Sequence, residues 1–109
     1  MTYNKGLAQR VRTVLEGKSV FEGKKMFGGV CFLLHGNMAC GILKESLIVR
    51  VGPEKYENAL KLTHTRKFDI TGKPMKGWVM VSPEGYDTDE RLSYWIEQGV
   101  AFALTLPVK

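Results

Sequence analysis

The sequence predicts an α+β fold, a two-layer domain in which an antiparallel sheet carries helices on one face, in the order α-β-β-β(-β)-α-β-β-α. Helical spacing of apolar residues marks both ends of the chain and one short stretch near its middle. Between Lys24 and Val51 the apolar period changes to two. Gly-Asn and Lys-Glu-Ser turns cut that stretch at intervals that suit a meander of consecutive strands.

The chain has 109 residues, enough for one domain over 1–109 and too few for a second independent core. A chain of this size buries roughly 60–70% of the surface exposed when unfolded, so it needs no metal or disulfide staple. No apolar run approaches the ~18 residues of a membrane span. Met1-Thr2-Tyr3-Asn4-Lys5 lacks the charged-then-apolar order of a signal peptide, so the expected location is cytoplasmic.

Leu7, Val11, Val14 and Leu15 form the stripe of a first helix, with Gly17 where a C-terminal cap belongs. Lys24–Phe27 reads as a short strand ended or bulged by Gly28-Gly29, and Val30–His35 as a strong one. Gly36-Asn37 turns the chain into Met38–Leu43, and Lys44–Ser46 turns it again into Leu47–Val51. Pro53 and Glu54 suit a helix start, with Tyr56, Ala59 and Leu60 on one face. Lys67–Thr71 is a short strand candidate and Met75–Val81 a clear one. Asp87 and Glu90 have capping-box spacing before the buried stripe Leu92, Trp95, Ile96, Gly99, Ala103 and Leu106, which Pro107 ends.

A two-residue loop at Gly36-Asn37 would pair His35 with Met38 and Cys31 with Ile42. One sheet face then collects Cys31, Leu33, Met38, Cys40, Ile42, Leu47, Val49 and Val51, and this is the expected bed for the helices. The other collects Val30, Phe32, Leu34, Ala39, Leu43, Ile48 and Arg50. Short helices leave that second face uncovered unless loops such as Thr63–Lys73 fold back over it, so Val30, Phe32 and Ile48 are the candidate interface for a homodimer or a protein partner.

Charge is uneven. The net charge is +5, with +8 in the first 76 residues and −3 in the last 33. Lys24, Lys25, Arg50, Arg66, Lys67, Lys73 and Lys76 are candidate contacts for an anion or nucleic acid. Phe27, Tyr56, Phe68 and Trp78 lie among them and could stack on bases. The same lysines also serve as ordinary protection of sheet edges.

Catalytic chemistry is not indicated. In the expected register Cys31 and Cys40 are diagonal neighbours ~7–8 Å apart, beyond the ~4.4–6.8 Å of bonded cysteines, so both are expected as reduced thiols. Cys31 and His35 lie four strand residues apart, ~13 Å, too far for proton transfer. The two His and two Cys show no zinc-ligand spacing, and Gly72-Lys73 precedes Pro74 where a phosphate loop needs Ser or Thr. No enzyme, metal or cofactor is expected.

Lys25-Met26-Phe27-Gly28-Gly29-Val30, followed by an apolar hairpin and Leu47-Ile48-Val49-Arg50-Val51, resembles the N-terminal domain of the TfoX/Sxy family. Pro74-Met75-Lys76-Gly77-Trp78-Val79-Met80-Val81 and the closing helix through Ala101-Phe102-Ala103 match the same domain, so the resemblance spans roughly residues 10–106. It implies a two-layer fold and a role like that of regulators of natural competence, which act on gene expression with a DNA-linked transcription factor. Those members carry a second, C-terminal domain, and this chain ends where that domain would begin, so a stand-alone N-terminal domain is expected. Met26, Phe27, Gly28, Gly29, Pro74, Gly77 and Trp78 match the motifs with structural roles, Trp78 anchoring a helix against the sheet. The resulting expectation is a non-enzymatic interaction or regulatory domain, homodimeric or bound to a protein partner, with direct nucleic-acid binding as the alternative.

Overall fold

Asn4 starts the first helix. Its side chain accepts the backbone N–H of Leu7 at 2.9 Å, satisfying one orphan donor of α1 (Lys5–Glu16). The computed structural model describes residues 4–18, 20–26, 28–69 and 75–108. Strands β1 (Glu22–Met26), β2 (Gly29–Leu34), β3 (Asn37–Leu43) and β4 (Ser46–Arg50) follow. Then come α2 (Tyr56–Leu60), β5 (Thr65–Lys67), β6 (Trp78–Val81), a 3₁₀ turn at Pro83–Gly85 and α3 (Asp89–Ala103). The strands form one six-stranded sheet in the order β1-β2-β3-β4-β6-β5, antiparallel at every pairing. The element order is the expected one, and the fold is α+β.

Several boundaries move, each for a local reason. α2 begins at Tyr56, with 53–55 in turns, because Val51 and Gly52 still donate to the Gly77 carbonyl at 2.8 and 3.0 Å. β5 is Thr65–Lys67, earlier than the expected Lys67–Thr71, of which Ile70 and Thr71 lie outside the described residues. β6 starts only at Trp78, after a turn in which Gly77 takes φ 95°. The cap of α3 is Thr88, whose side chain accepts the Arg91 N–H at 3.2 Å. Asp87 instead accepts from the Arg91 guanidinium at 3.1 Å.

The register of β2 on β3 also differs from expectation. The loop is His35-Gly36, with φ of 52° and 83°, and Leu34 pairs with Asn37. Positive φ at both central residues is the condition of the hairpin turn whose twist matches the strands. Leu33 pairs with Met38, but Phe32 pairs with Cys40, so Ala39 is the extra residue of a bulge. Beyond the bulge Cys31 faces Gly41 and Val30 faces Ile42. Because side chains alternate, this one-residue difference exchanges the two faces of β2.

Val30, Phe32 and Leu34 therefore join Ile42, Leu47, Val49, Val79 and Val81 in the buried core. All three helices contribute to that same core, through Leu7, Val11 and Leu15, Tyr56 and Ala59, and Leu92, Trp95 and Ile96. Cys31 and Leu33, expected beneath the helices, lie on the opposite side. α3 crosses β3 and β4 at close range: a Cβ on Gly99 would lie 2.3 Å from the carbonyl oxygen of Ala39. The bulge and the helical glycine meet at one point. The ends are tied as well, the buried Asn37 donating its Nδ2 to the Pro107 carbonyl at 2.8 Å and the Tyr86 hydroxyl donating to the Glu45 carbonyl at 2.6 Å.

The cysteines are both free and buried, on opposite faces of the sheet rather than diagonal on one. Burial, and secondarily the neighbouring Cys31, push the Cys40 thiol up to about 12.

Two outcomes follow from this packing. Gly99→Ala should lower stability by about 1–3 kcal/mol through overpacking, although alanine gains ~1 kcal/mol over glycine in a helix interior. A higher urea midpoint would contradict the close approach. For Cys40 the folded pKa lies above its ordinary value of 9.0, so its contribution is intact below pH 9 and is lost as pH rises toward about 12. Denaturation across that range should show a shallower alkaline loss in Cys40→Ala than in the parent. Parallel curves would count against a buried neutral thiol.

Candidate functional site

Turning Cys31 away from the helices builds the opposite face. Lys24, Cys31, Gly41, Ile48, Met80 and Arg66 are successive partners across all six strands and form one continuous row. Beside it, Leu33 pairs with Met38 and Arg50 pairs with Trp78, whose ring centroid lies 6.2 Å from that of Phe68. Leu33, Met38, Trp78 and Met80 are half-buried, whereas Cys31 and Ile48 are 7% and 3% exposed. Neither residue belongs to the helix-side core. Gly41 leaves a notch: a Cβ there would stand 2.7 Å from Met38 Cε, so the thioether folds over the gap.

The candidate interface residues divide. Ile48 lies on this open face, but Val30 and Phe32 are 2% and 0% exposed within the helix-side core. Their expected place on an uncovered face is corrected by the bulge that reverses β2. The same correction adds Leu33 and Met38 to the open face. Trp78 does not anchor a helix; it sits on the open face in contact with Arg50.

The basic residues divide too. Lys24, Arg50 and Arg66 share the open face. Lys25 pairs with Val30 and Lys67 with Val79, so the alternation turns both toward the helix side, at the two edge strands. Lys76 is exposed in the turn before β6, and Lys73 lies outside the described residues. Of the motif positions, Gly28 takes φ 77°, and a Cβ on Gly29 would lie 2.1 Å from the Ile42 carbonyl oxygen. Met26 ends β1, while Phe27 and Pro74 lie outside the described residues.

Electrostatically the two sides differ. Among the described residues the ion pairs are Arg10–Asp89, Lys18–Glu97 and Arg91–Asp87, at 3.5, 2.8 and 3.1 Å, all made by α1, α3 or the segments next to them. Lys24, Arg50 and Arg66 have no carboxylate partner among those residues. Glu22, two residues before Lys24, is the acid on the same face of β1. The Arg50 guanidinium lies 5.1 Å from the Trp78 ring centroid and 5.3 Å from that of Phe102, near enough for cation–π attraction to hold it.

Among the described residues no group of three or more His, Cys, Asp and Glu could hold a metal ion. Burial raises the Cys31 thiol, which disfavours the thiolate needed for nucleophilic attack. His35 and His64 sit in turns at φ 52° and 68°. His64 borders a cleft of about 670 Å³ with Leu62, Glu90, Arg91, Tyr94 and Trp95, but the Arg91 guanidinium is occupied by Asp87 and the Glu84 carbonyl. Among the described residues no helix is long and apolar enough to cross a membrane.

No curated protein matches the chain. The family model of the TfoX N-terminal domain matches residues 14–103, taking in every strand and helix but most of α1. By that match, which includes the bulged hairpin and the closing helix, this chain belongs to the TfoX N-terminal domain family.

Proposed function

We propose that this chain is a cytoplasmic, non-enzymatic interaction domain of regulatory type, working through the open face of its sheet on a protein partner. One observation carries the reading. All three helices feed a single core on one side, and the other side carries the half-buried Leu33, Met38 and Met80 around the buried Ile48. Apolar surface of that kind on a small domain marks an interaction site. The TfoX N-terminal family supports the regulatory part, in which the domain acts on gene expression through other proteins.

Direct nucleic-acid binding is the second reading, favoured by the unpaired cations of the same face. It is weaker, because single-strand binding needs aromatic platforms. Phe68 and Trp78 stand together at one corner, and Trp78 already carries Arg50. A second copy of the chain is also less favoured, since face-to-face packing would bring Lys24, Arg50 and Arg66 near their own equivalents.

Met80→Glu places a charge in the middle of the face without touching the core. It should weaken capture of a cellular protein partner at least tenfold, while Ala101→Glu, exposed on α3, leaves that capture unchanged. The reverse pattern would move the working surface to the helices. Sedimentation should show a monomer at micromolar concentration. A dimer dispersed by Met80→Glu would identify a second copy as the occupant.

A further inference from the structure

We infer that the open face takes an acidic, amphipathic protein segment, with Arg50 as the residue that grips a carboxylate of that partner. The inference rests on the reading of the open face as the working surface and adds the chemistry of its occupant.

Three features support it. The centre of the face is aliphatic and thioether in character, Ile48 and Met80 beside Met38, whose methyl caps Gly41, and such a surface suits leucine- or valine-like side chains rather than flat bases. Its cations are unneutralised, as every ion pair among the described residues lies on the helix side. Arg50 is also set apart from the other cations. Its side chain starts on the open face and its guanidinium reaches past Trp78, at 5.1 Å, to Phe102 of α3, at 5.3 Å, and none of its N–H groups donates to another described residue. The two rings hold the planar fork in place while leaving its donors unused. A pre-positioned fork with free donors suits bidentate pairing with a carboxylate, at a smaller entropy cost than a mobile lysine would incur. Arg66 and Lys24, at the two ends of the same row, then meet further acids along the segment.

The test uses two fluorescent capped decapeptides, one alternating glutamate and leucine and one alternating glutamine and leucine, beside a single-stranded and a duplex oligonucleotide. Anisotropy at ~50 and ~200 mM salt gives affinities and their salt dependence, and backbone amide shifts locate the site. The expected result is binding of the glutamate peptide about tenfold tighter than its glutamine counterpart, with shifts at Cys31, Gly41, Ile48 and Met80. Arg50→Lys, which keeps the charge and loses the fork, should remove most of that preference, and Arg50→Gln all of it. Equal affinity for the two peptides with shifts on the open face would overturn the acidic partner and leave the working surface standing. Tighter binding of an oligonucleotide at the same face would replace the protein segment with nucleic acid. Shifts confined to the helix side, or no binding of any probe, would overturn both. A full preference retained by Arg50→Lys would remove Arg50 from the role.

Discussion

The His35-Gly36 turn and the bulge at Ala39 together set how β2 lies on β3, and the rest of the molecule depends on that pairing. The turn needs two consecutive residues at positive φ, which glycine takes freely and histidine tolerates. The bulge then shifts the ladder by one residue, so that Phe32 rather than Leu33 points into the core. It also presents the Ala39 carbonyl to α3, where Gly99 is the residue able to come that close. Helix and bulge thus form one constraint: a side chain at 99 would lift the helix, and a ladder without the bulge would exchange the faces of β2 relative to the rest of β3.

With the faces set, charge separates. The ion pairs among the described residues lie on the helix side, exposed ones whose individual contributions are typically 0.2–1 kcal/mol. Lys24, Arg50 and Arg66 have no such partner among those residues. Losing so weak a term costs the fold little, and it leaves those groups available for intermolecular contact. Cation–π contact holds Arg50 without neutralising it. The same surface therefore offers apolar area for affinity and fixed positive charge for choice of partner.

Much of this was legible in the sequence. Element order, the helices at both ends and the Ile42, Leu47, Val49 and Val51 set follow from period and turn chemistry, which are local. The face of β2 did not follow. Cys31, Leu33 and Val30, Phe32, Leu34 are alternative apolar sets of one strand, and hydrophobicity does not choose between them. Moving the turn from Gly36-Asn37 to His35-Gly36 shifts the pairing by two and keeps its parity, so the choice lies in a bulge whose extra residue is an unremarkable alanine. The expected register puts Val30, Phe32 and Ile48 on one face, and the bulge sends Val30 and Phe32 to the helix side while Ile48 stays on the other. For the basic residues, sequence proximity suggested one cluster. Strand alternation divides it, sending Lys25 and Lys67 to the side opposite Lys24 and Arg66.

The most direct measurement of the central claim is methyl NMR on protein carrying ¹³C-methyl methionine, with a soluble paramagnetic chelate added. The account places Met38 and Met80 on an uncovered sheet face, so both methyl signals should be strongly relaxed by the chelate in the free chain, and protected when a partner binds. Val79 and Val49 methyls, labelled in a parallel sample, should stay unaffected because both side chains are fully buried beneath the helices. Protection of Met38 and Met80 in the free monomer, with relaxation of the valines instead, would contradict the assignment of the two faces.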